Sequence, residues 1–127
     1  MGTDRRMIPN STQFPNIIMD NIDKFNDTET KLLIVICRAT FGWGKESEWM
    51  SRKLLTKRTG KGKTTVTNAI SSLVKRGFLV VRSEDGRVIS APEDRRAEGN
   101  NHGRLYYSLN ILSEVDDFDR PENGTEQ

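Results

Sequence analysis

The chain has 127 residues, of which 34% are hydrophobic and 30% charged, with 10 Gly, 4 Pro, one Cys and one His. That is enough for one compact domain with a modest core and some loose sequence around it. It excludes several classes. The longest apolar run, Leu32 to Cys37, is far short of the about 20 residues a membrane span needs. A single cysteine cannot form an internal disulfide, and a single histidine rules out paired-histidine metal chemistry. The polar start is not a secretory signal, and Arg6 stands where a myristoylation signal needs Ser or Thr. The expected address is the cytoplasm.

A formal net charge of +2 conceals strong segregation. Residues 49–82 carry nine bases (Arg52, Lys53, Lys57, Arg58, Lys61, Lys63, Lys75, Arg76 and Arg82) and no acid. Residues 83–127 carry five bases against eleven acids. A face kept merely soluble usually mixes both signs, so an acid-free block points to a polyanionic partner.

In chain order, residues 1–12 are unpatterned and read as a flexible arm. Ile18, Ile22 and Phe25 then fall at i, i+4 and i+7, which predicts a short amphipathic helix with Pro15 in its first turn. Asn26 and Glu29 form a capping-box pair opening a second helix. Its run Leu32–Cys37 is apolar all round, so it should be the buried central helix, ended by Gly42. Cys37 inside it reads as a buried, inert thiol. A short strand is expected within Lys45–Met50. Ser51 caps a third helix, Arg52–Thr59, with Leu54 and Leu55 inward and Gly60 as its left-handed stop.

Gly62 opens a fourth helix, Lys63–Lys75, with Val66, Ala69, Ile70, Leu73 and Val74 on one stripe and Gly77 at its end. Phe78–Arg82 and Leu105–Asn110 read as strands. Residues 83–104 between them read as a long loop, functional or disordered, with a tight hairpin at Asp85-Gly86. Residues 113–127 read as an acidic disordered tail. The fold class is therefore mainly α with a small antiparallel sheet: a winged helix-turn-helix domain over residues 13–112, with 83–104 as the wing.

The Lys63 helix suits groove reading. Its outer positions are Lys63, Thr64, Thr65, Thr67, Asn68, Ser71 and Ser72, short hydrogen-bonding side chains that allow close approach to base edges. Threonine and serine are poor helix formers, and an ordinary solvated face would favour Glu, Lys and Gln. Lys63, Thr64, Thr67 and Asn68 are the base-reading candidates, Asn68 being suited to adenine. Arg52, Lys53, Lys57, Arg58, Lys61, Gly62, Thr65 and Ser71 are the phosphate-binding candidates, with the N–H groups after Gly62 forming an anion site. Arg82, Arg87, Arg95, Arg96 and Arg104 are the wing candidates.

Competing chemistry fails on residue type or spacing. Gly62-Lys63-Thr64 suggests a phosphate loop, but that pattern needs glycine where Lys57 stands, so no nucleotide site is expected. No cofactor, metal site or catalytic residue is expected. Asp116-Asp117 lies in the acidic tail, His102 in the wing loop, and Tyr106 and Tyr107 serve a strand. Trp43 and Trp49 could stack on bases, though packing of the turn between the second and third helices explains them more simply.

One local pattern goes further. Arg38, Thr40, Phe41, Gly42, Trp43, Lys45, Glu48, Trp49, Ser51, Thr59, Gly60 and residues 73–77 (Leu-Val-Lys-Arg-Gly) closely resemble the N-terminal domain of bacteriophage lambda O-type replication proteins. The likeness covers residues 13–82. It implies a winged-helix origin-binding domain of a phage or prophage initiator, acting near the bacterial nucleoid and bound as a homodimer to inverted sites. In that family a separate C-terminal region recruits the helicase loader, a property not carried over to this sequence. The sequence departs in its longer wing, where residues 83–104 hold five acids and four bases. The reading is a non-enzymatic, sequence-specific duplex-DNA-binding domain. Its alternatives are a winged-helix transcriptional regulator and a replisome protein-interaction adaptor.

Overall fold

A computed structural model of the chain describes residues 11–100 and 103–110, with side chains throughout except at 97–100. The expected arm (but for residues 11 and 12), His102 and the acidic tail lie outside these residues. Helix α1 (Asn16–Met19) and a 3-10 turn (Ile22–Lys24) precede the central helix α2 (Asp27–Thr40). A second 3-10 turn (Phe41–Trp43) leads to β1 (Glu48–Trp49), then α3 (Arg52–Thr59) and α4 (Lys63–Lys75). Strand β2 (Leu79–Arg82), helix α5 (Pro92–Asn100) and strand β3 (Tyr106–Leu109) complete the order.

Helix α2 is the nucleus of the packing. Asn26 Oδ1 accepts from Glu29 N at 2.8 Å while Asn26 N donates to Glu29 Oε1 at 2.9 Å, so the capping box is complete. Leu32, Leu33, Ile36 and Cys37 are buried against Leu55, Val66, Ile70 and Leu73 of the next two helices. Each such side chain contributes about 1.5–3 kcal/mol by leaving water. The helix is not apolar all round, however, because Ile34 is half-exposed on an outer stripe with Lys31 and Arg38. Cys37 Sγ donates to Gln13 O at 3.2 Å, and burial pushes its thiol up to about 11, as an inert thiol requires.

Two local expectations change. The first helix breaks after one turn, because the buried Asn21 amide donates to Ile17 O at 2.6 Å and closes the turn there. Ile17 then takes the inward place expected of Ile22, which is 42% exposed. Gly42 is not the stop of α2 either. The helix ends at Thr40, whose hydroxyl donates back to Ile36 O at 2.8 Å, and Gly44, at φ +69°, turns the chain.

The three strands form an antiparallel sheet in the order β1-β3-β2. Tyr107 sits between Glu48 on one side and Val81 on the other. Leu79, Val81, Leu105, Tyr107 and Leu109 point to the helices, with the alternation expected of a half-buried sheet. Two helices with a tight turn followed by this sheet fit a winged helix-turn-helix.

The wing is where sequence and structure part most. Beyond β2, Val88 bridges back to Arg82, and Ser83, Asp85 and Gly86 make the expected tight turn. The rest is not loop, because residues 92–100 are helical. The signal was present in Ser90-Ala-Pro-Glu-Asp, with proline and two acids in a first turn. The long span between two strands masked it.

Candidate nucleic-acid interface

The helix-turn-helix is set by local chemistry. Ser51 Oγ accepts from Leu54 N at 3.0 Å and starts α3. Gly60, at φ +72°, stops it in a left-handed conformation that a side chain would resist. Gly62 is extended and opens α4 without a side-chain cap or an acid in the first turn. The first N–H groups of α4 therefore have no intrahelical acceptor and sit at the positive end of its dipole.

Val66, Ala69, Ile70 and Leu73 bury one side of α4, and the opposite stripe is Thr64, Asn68, Ser71 and Lys75 at i, i+4, i+7 and i+11. Thr64, Thr65, Asn68 and Lys63 are exposed. Lys53, Lys57 and Arg58 on α3 are also exposed, with no ion pair among the described residues. These seven, with the Gly62 backbone, remain available to a partner.

Several candidates are already engaged within the fold. Thr67 Oγ1 accepts from Arg52 Nη1 at 2.5 Å and donates to Lys63 O at 2.8 Å, which occupies a hydroxyl expected to read bases. Ser71 Oγ accepts from Arg95 Nη2 at 2.6 Å, so it anchors α5. Ser72 Oγ donates to Glu29 Oε2 at 2.5 Å, facing α2 rather than outward. Lys61 Nζ lies 2.5 Å from Asp27 Oδ2, and that contact, with Lys31 nearby, holds the Asp27 carboxyl below its usual range. Arg76, never a candidate contact, is bound to Glu29 Oε1 at 3.2 Å and stacks over Phe25 and Phe78.

The wing arginines divide likewise. Arg82 and Arg96 are exposed, and Arg104 lies over Trp49 at 4.7 Å. Arg87 Nε is 3.1 Å from Asp85 Oδ2, and the Ser83 hydroxyl and Arg87 together pull the Asp85 carboxyl down to about 2. Arg95 is only 2% exposed, so it is not a solvent-facing wing cation. It donates to Ser90 O at 2.5 Å as well as to Ser71. Burial weakens its hold on its proton, as does the charge of Arg52, against the pull of Tyr107 and Glu93.

Tyr107 is the residue sequence reasoning undervalued. It is fully buried, and burial pushes its hydroxyl up while Arg52 and Arg95 pull it back. Trp43, by contrast, is 67% exposed beneath Arg38 at 5.2 Å and does not pack the turn as expected.

Among the described residues, no group of three or more metal-ligating side chains converges, and no helix is long and apolar enough to cross a membrane. A family model described as bacteriophage replication protein O matches residues 11–92. No curated protein and no solved structure matches the chain.

Proposed function

The chain belongs to the bacteriophage replication protein O family, and we propose that this domain is the non-enzymatic, sequence-specific duplex-DNA-binding part of a phage or prophage replication initiator, directed to an origin. The observation that carries the reading is the unengaged part of α4. Thr64, Thr65 and Asn68 stand exposed beside Lys63, at the end of a helix whose N–H groups favour anions. Lys53, Lys57 and Arg58 hold phosphates and set register, and Asn68 reads a base edge. The adaptor alternative requires no comparable polar stripe, and membership of a phage replication family supports an origin over a promoter.

Selection of bound duplexes from random DNA is the direct test; enrichment of a site with inverted symmetry is expected, as for a homodimer. No enrichment over the input pool would overturn the reading. On the selected site, Asn68→Ala should cost about 1–3 kcal/mol while leaving random DNA almost unaffected. Lys57→Ala should weaken both alike and reduce the log–log salt slope by about one. Equal losses on both DNAs for Asn68→Ala would remove its base-reading role.

A further inference from the structure

The engaged arginines raise a separate question, because they cluster. A cavity of about 470 Å³ is lined by Ser51 and Arg52 of the α3 start, Lys63 of the α4 start, Arg95 and Arg96 of α5, and Arg104 before β3. Five of these six are cationic and none of the residues lining the cavity is a carboxylate. No described acid makes an ion pair with any of the five: Glu48 is taken by Lys45, and Glu93, which is exposed, attracts Arg95 only through space without bonding to it.

Guanidinium groups cannot relieve this by losing a proton at neutral pH. A buried charge not bonded to a carboxylate is costly, and the hydrogen bonds of Arg95 go only to neutral oxygens, with Glu93 acting on it at a distance. Arg52 Nε is also buried without an acceptor, the one such side-chain atom among the described residues. Two helix starts converge on the same space and add positive potential.

We propose that this cavity binds one phosphate group, and that α5, tethered to α4 through Arg95 and Ser71, is the element that closes it. This deepens the DNA-binding reading and rests on it only for the source of the phosphate. A backbone phosphodiester of a duplex lying along α4 supplies the required chemistry, and free phosphate shares it. On this account the wing does not insert a basic hairpin. It carries a helix whose buried arginine completes a phosphate socket beside the reading helix.

The test follows the arginine Nε–Hε resonances of the full chain by NMR during titration with inorganic phosphate and, separately, with a duplex. Movement of the Arg52 and Arg95 signals is expected with the duplex. Movement with inorganic phosphate alone supports the socket and assigns it to free phosphate. If the duplex shifts the Lys57 and Asn68 amides while both arginine signals stay put under either titration, the socket is overturned and DNA binding survives. If neither ligand moves either set, both readings fall. Arg95→Met should reduce duplex affinity by about tenfold, the scale of one charge-assisted contact. The charge-matched control Arg38→Met, on the outer stripe of α2, should change it much less. Equal losses in the two variants would reduce the effect to net charge and also overturn the socket.

Discussion

Two arginines from the same acid-free block have opposite fates. Arg76 closes on Glu29 and on Lys24 O at 2.7 Å, over the edge-to-face pair of Phe25 and Phe78, whose centroids are 4.9 Å apart. It joins the end of α4 to the start of α2. Arg52 lies at the start of α3 with only neutral partners and a second cation, Arg95, nearby. The difference shows that a run of bases in sequence is not a surface in space. Acids from α2, outside the block, consume Lys61 and Arg76. Arg52 and Lys63, left without an acid, lie where α3, α4 and α5 meet, while Lys53, Lys57 and Arg58 stay exposed on α3.

The contrast can be broken most forcefully at Glu29, which accepts from Asn26 N, Ser72 Oγ and Arg76 Nη1. Glu29→Ala should cost about 2–3 kcal/mol, discounted because Arg76 is partly exposed, and be visible in urea melts. Its duplex affinity at a temperature where it is folded should be unchanged. A loss of affinity would place the Arg76 side within the interface.

Acid sharpens the same point. Burial raises the Glu29 carboxyl, but the Ser72 hydroxyl, the Asn26 N–H and Arg76 together hold it below its ordinary 4.5. A depressed carboxylate contributes stability that is present above its unfolded value and lost as pH falls through the folded one. Glu29→Gln should therefore flatten the loss of Tm between about pH 5 and pH 3 relative to the parent. An unchanged acid limb would mean the network contributes little.

A smaller effect is expected in the turn that aims α4. Gly60→Ala should cost about 1–2 kcal/mol, from the left-handed backbone alone, since a Cβ there meets nothing within 4 Å. Ser51→Ala should cost about 1 kcal/mol through the lost cap of α3. The least change in stability is expected for Arg95→Met, within about 1 kcal/mol of the parent, because it removes two hydrogen bonds together with an uncompensated charge. A large loss there would make Arg95 a structural clamp like Arg76.

Much of this architecture could be read without coordinates, and for local reasons. The Asn26–Glu29 box, the Ser51 cap, the Gly60 stop and the 3.6-residue stripe of α4 are governed by neighbours within about one helical turn. So the bounds of α3 and α4, the alternation of Leu105, Tyr107 and Leu109, and the helix-turn-helix frame were all legible. The failures were also instructive. Ile22 matched a helical spacing, but a buried Asn21 interrupted the helix that spacing assumed.

Sequence alone determined helices α2, α3 and α4, where charge is concentrated along the chain and which stripe of α4 enters the core, because propensity, capping and periodicity act between near neighbours. Only the tertiary structure decided which polar groups stay available. Thr67, Ser71 and Ser72 belong to the outer or flanking positions of one helix, yet each meets a partner between 15 and 43 residues away in the chain. Those partners arrive through packing, since a hydroxyl or guanidinium leaving water must find a hydrogen bond wherever the fold brings one within reach. Periodicity carries no information about that distance.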